Sequence, residues 1–201
     1  KLGAGHGNHT RLAALPGQRF GGGNGDLRGA SILSDKILGL LDEATDNRRN
    51  YLNPVNAYDE NWTPTLLGYC VNRSSSDRVS IRIAEMYLIA AEAGSYLPAE
   101  LEKAKGYLLD LKAKRLKPEA METQRTKVGA MDAEQLRTEI ADERARELIG
   151  EGHRWMDLRR TTQPAIVKTY KDRTYTLNAN DARYTLPFPQ SAIDSNPELN
   201  D

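Results

Sequence analysis

The stretch "ERARELIGEGHRWMDLRR", residues 143–160, sets nine full charges and a histidine among a Trp, a Met and three aliphatic residues. Such a density suits a solvated helix face, a lattice of buried ion pairs, or a catalytic cluster. The residues just upstream discriminate between them. In "AEQLRTEIADERAREL" (133–148) Leu136 and Ile140 share one helical face, and the same stripe continued by threes and fours reaches Glu143 and Glu147. A helix that needed only solvation would carry those acids on its other side. Glu143 and Glu147 are therefore expected to be at least partly buried and paired with arginines.

Arg144 and Arg146 lie on the same helix, Arg154, Arg159 and Arg160 follow the Gly150/Gly152 break, and Arg82 sits on an apolar helix upstream. Arginine suits such a lattice because its planar fork meets carboxylates bidentately and stays charged. The expected ion-pair network is Arg82, Glu143, Arg144, Glu147, Arg154 and Asp157. Chemistry is the weaker reading. Acids four residues apart stand ~6 Å apart along a helix axis, near the carboxyl separation of retaining glycosidases. A general acid, however, needs a raised pKa, and neighbouring arginines lower it. His153 has no Ser or Cys nucleophile near it in sequence, and "EGH" lacks HExxH or ExxH metal spacing. No catalytic residue, metal or cofactor is expected.

The remaining composition excludes several classes. Lys+Arg 28 balances Asp+Glu 28, so there is no bulk basic field for nucleic acid. Cys70 is the single cysteine and cannot form an internal disulfide. No stretch approaches the roughly 18 apolar residues of a membrane span. The chain opens without a Met, a basic region or an apolar run, and reads as part of something longer.

Nine of the sixteen glycines fall in the first 29 residues, so residues 1–33 read as a Gly-rich loop segment. "GGGNGDLRG" has neither the GK[ST] ending of a phosphate-binding loop nor GxGxxG spacing. A short helical turn is expected over 34–41, with Ile37, Leu38 and Leu41 on one face, and Pro54 is expected to end any regular element. Residues 55–79 read as a long connection with short extended pieces near 66–71. Tyr58, Trp62 and Tyr69 sit in it among polar residues.

"SIRIAEMYLIAAEAGSYLP" (80–98) is apolar nearly all round. Ile81, Ala84, Leu88 and Ala91 form one stripe, and Ile83, Met86, Tyr87 and Ala90 another beside it. Such a helix is expected to be covered on most sides. A second helix, with Ala104, Leu108 and Leu111 at helical spacing, follows the Pro98 joint. Together residues 80–117 have the size and small-residue pattern of a tetratricopeptide-type hairpin. Asp132 is expected to cap the helix leading into the charged stretch, so that 132–160 forms that helix and a following turn. From 160 to 185 the chain reads as irregular with a possible strand at "RTYTLN", and its last residues as an extended tail pinned by prolines. The expectation is one all-α domain over 1–201, with long irregular loops.

The charged stretch resembles the signature of the SusD/RagB family, surface nutrient-binding lipoproteins of gram-negative glycan users. The matching positions are Glu143, Arg144, Glu147, Leu148, Glu151, Gly152, Arg154, Asp157, Leu158 and Arg160. "TDNRR" (45–49), "RIAEMYLIAAEA" (82–93) and "LPFPQSAIDSNPEL" (186–199) resemble further family segments, in the right order. The resemblance covers the carboxy-terminal part of such a protein. It implies a SusD-like helical fold, placement at the cell surface on the outer membrane through an upstream lipid anchor, and partnership with a TonB-dependent transporter. In that arrangement the protein holds an oligosaccharide or other nutrient and does no bond chemistry. Sugars lie flat on aromatic rings, which makes Tyr58, Trp62 and Tyr69 the candidate ligand residues; covering the helical core is their other reading. The alternative function is a protein-interaction scaffold with no small ligand of its own. An exposed, coplanar pair of rings within 51–72 would favour sugar.

Overall fold

Residues of high helix propensity fill the sequence from 83 to 147, and helices dominate there. The computed structural model describes residues 9–11, 19–21, 31–59, 61–71, 82–170, 173–185 and 188–200. The chain divides into two compact units, Lys1–Arg154 and Trp155–Asp201. Among the described residues there are seven α-helices and three small antiparallel sheets. No helix among them is long and apolar enough to cross a membrane.

The first unit opens with short strands β1 (His9–Arg11), β2 (Arg19–Gly21) and β3 (Ser31–Leu33), then a single helical turn α1 (Asp35–Leu38). The strands correct the reading of 1–33 as loop alone: three-residue segments become strands by pairing with partners, β1 with β3 and β2 with β4. The turn at α1 buries Ile37 and Leu41, while Leu38 is half-buried. A 3₁₀ turn, Asn47–Tyr51, leads into β4 (Leu52–Tyr58), which hairpins onto β5 (Pro64–Val71). Thus the expected long connection is largely a β-hairpin. Pro54 does not end the strand. Among the described residues β2 pairs with residues 56–58 of β4 and not with Pro54, so on that side the missing N–H of Pro54 breaks no described strand pairing.

The helical body follows. Helices α2 (Ile83–Gly94) and α3 (Leu101–Ala113) form the hairpin, joined through a 3₁₀ turn with Pro98 at its first position, where a missing N–H costs nothing. Ala84, Leu88 and Ala91 of α2 share one core with Ala104, Leu108 and Leu111 of α3. Val128 of α4 (Met121–Gly129) and Leu136 and Ile140 of α5 (Ala133–Glu147) complete it. Ile81, assigned to the same stripe, lies outside the described residues. Helix α4 escaped the sequence reading because its apolar contribution is small, essentially Met121 and Val128.

The covering expected on most sides of α2 is absent among the described residues. Ile83 is 78% exposed, and Met86, Tyr87 and Ile89 also face out. Helices α3 and α5 cover one side of α2; of the second stripe Ile83 and Met86 stay open, while Ala90 is half-buried and the exposed Tyr87 ring meets Tyr107 of α3 edge-on. At the start of α5 Asp132 closes a full capping box: its carboxylate accepts from Glu134 N and Gln135 N, and Gln135 Oε1 accepts from Asp132 N. After α5 the chain turns through Gly150 (φ 73°) and Gly152 (φ 85°), a conformation that disfavours side chains. Helix α6 (His153–Arg160) then begins with the last two residues of this unit.

The second unit takes the rest of α6 and a hairpin of β6 (Ile166–Tyr170) with β7 (Arg173–Leu177). Trp155 stacks on buried Tyr184, centroids 5.1 Å apart and planes 9° apart, while the Tyr184 hydroxyl donates to Pro164 O. The tail is not simply extended: α7 (Gln190–Ser195) starts directly after Pro189.

Candidate functional site

Helix α5 continues its apolar stripe as a ladder of acids. Glu139, Glu143 and Glu147 follow one another at four-residue intervals and all are buried. Each rung meets three cations. Glu139 pairs with Lys112 (2.8 Å), Arg146 (2.7 Å) and Lys127 (3.0 Å). Glu143 pairs with Arg48 (2.7 Å), Arg146 (2.7 Å) and Lys112 (3.0 Å). Glu147 takes Arg115 through two hydrogen bonds (2.7 and 2.8 Å), Arg82 (2.5 Å) and Arg48 (3.1 Å). Asp46 and Glu151 complete the lattice on Arg48 and Arg82. Helix α3, the start of α2 and the segment before β4 thereby converge on one face of α5.

The charge balance fixes the protonation state. Burial pushes the Glu143 carboxyl upward, but Arg48, Lys112 and Arg146 more than reverse it and hold its pKa at about 2. Glu139 behaves alike: burial raises it, and Lys112, Arg146 and Lys127 bring it to about 2. On Arg48, burial acts against the charge, while Asp46 and Glu143 raise the guanidinium pKa above its ordinary value. Carboxyls ionised at about 2 carry no proton to donate near neutral pH.

Of the residues assigned to this network, Arg82, Glu143 and Glu147 lie in the lattice. Arg144 lies beside it, 3.5 Å from Glu85, which also faces His153 at 3.8 Å. Arg154 is placed apart, donating to the backbone oxygen of Ala141 at 3.4 Å, because the glycine turn carries it past the acids. Asp157 belongs to the second unit and pairs with Arg160 at 3.1 Å. Sequence reasoning left out Asp46, Arg48, Lys112, Arg115, Lys127, Glu139 and Glu151. Glu139 was detectable, four residues before Glu143 on the same stripe. Lys112 and Arg115 were not, since no local pattern directs them to a helix some 30 residues away.

The aromatic candidates sit on the β4–β5 hairpin. Its turn is held by Asp59, whose carboxylate accepts from Asn61 N (2.9 Å) and Thr63 N (2.8 Å). Those backbone hydrogen bonds, that from Thr63 first, draw its pKa down. The turn puts Trp62 at φ 60° with the residue 61% exposed. Tyr58 stands beside it, centroids 6.0 Å apart with planes inclined by 55°. The rings are adjacent, yet they do not form one flat platform. Tyr69 is not brought to them: it pairs with Pro54 while Tyr58 pairs with Pro64, about 15 Å along the hairpin. Its ring lies instead under Arg49, 4.7 Å from the guanidinium carbon.

The sequence pattern of the SusD family matches residues 60–201, well over half of the chain. The chain belongs to the SusD family. The matched SusD segment includes the acid ladder, Trp62 and Tyr69, whereas Arg48 and Tyr58 precede it. A crystal structure of a SusD superfamily protein from Bacteroides fragilis superposes with TM-score 0.61 at 22% identity, over 85% of this chain and 38% of that one. The present SusD-family chain thus spans well under half the length of that protein. No curated protein matches it.

Proposed function

We propose that this chain is part of a cell-surface binding protein that holds an oligosaccharide or other nutrient and passes it to a TonB-dependent outer-membrane transporter, without bond chemistry. Membership of the SusD family carries the reading. In it, an upstream lipid anchor holds the protein at the outer membrane, and ligand is taken by aromatic faces with polar groups at their rim. The exposed Trp62 ring beside Tyr58 and Asp59 is the best such face among the described residues. Tyr69, occupied by Arg49, is the weaker candidate. The lattice on α5 serves as scaffold in this reading.

One observation favours a second reading, a tetratricopeptide-type interaction scaffold: the open apolar stripe of α2 at Ile83, Met86, Tyr87 and Ile89. A glycan array with the full-length protein and its Trp62→Ala variant separates the two. Loss of a glycan signal on substitution, with a stability change below roughly 0.5 kcal/mol, supports the binding reading. No glycan signal from the unaltered protein would favour the scaffold, and a lowered melting point with unchanged binding would make Trp62 a packing residue.

A further inference from the structure

Two successive arginines stand at the base of the aromatic hairpin. Arg49 covers the Tyr69 ring of β5. Arg48, with its side chain 11% exposed, spans three carboxylates: Nε and Nη2 donate to Asp46, and Nη1 to Glu143 and Glu147. The 3₁₀ turn that holds both arginines runs straight into β4 at Leu52. Its start is also stitched to the end of α3. Asn47 N donates to Arg115 O and Lys117 N to Thr45 O, each at 2.9 Å, and Asp46 and Leu116 form an isolated antiparallel bridge. Arg115 in turn grips Glu147. The segment that launches the hairpin is therefore tied to α3 and α5 through the same carboxylate.

We propose that Arg48 is a positioning residue for the aromatic hairpin. By joining Asp46 to Glu143 and Glu147 it sets where β4 leaves the helical body, and so how Tyr58 and Trp62 are presented. Its functional consequence rests on the reading of this hairpin as ligand-bearing; the positioning itself is measurable without ligand. A lysine keeps the charge but has no fork, and a single ammonium with three donors cannot reproduce the four directed N–H groups that Arg48 shares among three carboxylates. The hairpin has other supports, since Val55 and Ala57 are buried and Ile32 lies against Gly68. If those suffice, Arg48 contributes only to overall stability.

Amide hydrogen exchange on the full-length protein decides, comparing wild type with Arg48→Lys and Arg48→Met. Charge-assisted hydrogen bonds of this kind predict roughly ten- to hundredfold faster exchange over 52–71 in Arg48→Lys. Over α2 and α3 the change should stay below about threefold. Equal acceleration in both segments, or none in 52–71, overturns the proposal. If Arg48→Met does not fold, Arg48→Lys alone carries the comparison. On the glycan array, Arg48→Lys should lose signal together with Trp62→Ala; a loosened hairpin with undiminished glycan binding overturns the link to ligand. An array silent for the wild type defeats the ligand reading and leaves the exchange result standing.

Discussion

Replacing Glu143 by glutamine removes one charge from the centre of the lattice and almost no volume. The Glu143 side chain is fully buried between Arg48, Lys112 and Arg146. Stranding buried cations in this way costs roughly 3–5 kcal/mol when no other acid can take them. Here Arg48 keeps Asp46 and Glu147, and Lys112 and Arg146 keep Glu139, so about 2–4 kcal/mol is expected. A second route agrees: lowering the carboxyl from 4.5 to about 2 corresponds to roughly 3 kcal/mol at neutral pH. For a unit of this size the melting temperature should fall by roughly 5–15 °C.

The pH dependence provides an independent check. Glu139 and Glu143 ionise at about 2 in the folded protein against 4.5 ordinarily, so the unfolded chain binds protons more readily across that interval. Their contribution is complete above the unfolded value and is lost as pH falls through the interval towards the folded one. Glu143→Gln should therefore flatten the loss of stability on acidification. Circular dichroism melts of both proteins across an acid pH series measure both effects. A melting point within about 2 °C of wild type at neutral pH, or an unchanged acid slope, would refute the lattice as a source of stability.

Three further outcomes follow from the packing. Leu88→Ala opens a cavity in a core where Leu88 has no exposed surface, and urea unfolding should show a loss of roughly 2–5 kcal/mol. Asp132→Ala removes the carboxylate half of the α5 capping box, leaving the backbone N–H of residue 132 on Gln135 Oε1, and should cost ~1 kcal/mol, read as a lower urea midpoint with an unchanged slope. Gly68→Ala places a Cβ 2.7 Å from Ile32 Cγ2 at a backbone φ of 148°, and the same measurement should register a loss of roughly 1–3 kcal/mol.

Much of this protein is determined locally and can be read from the chain. Helical periodicity places Leu88, Ala91, Ala104, Leu108 and Leu111 in one core, because a stripe repeated every three or four residues has a single direction in which to be buried. Asp132 caps α5 and Gly150 and Gly152 break the chain after it, since these are properties of a few consecutive residues. The stripe from Leu136 and Ile140 into Glu143 and Glu147 likewise points inward along its whole length.

Contacts between distant segments are decided only by the tertiary structure. Nothing near Arg48 indicates that it reaches Glu143, 95 residues away, and nothing near Arg115 indicates Glu147. Charged side chains have no periodicity of their own that selects a distant partner, so the identity of each rung's cations follows from how α3 and the turn before β4 dock. Strand β4 illustrates the same limit. Its pairing with β2 and β5 is set by register across the sheet, and among the described residues the pairing with β2 covers Asn56–Tyr58 and leaves out Pro54. The exposed stripe of α2 completes the contrast: the sequence requires that helix to have an apolar surface, while which side is covered depends on the elements that pack against it.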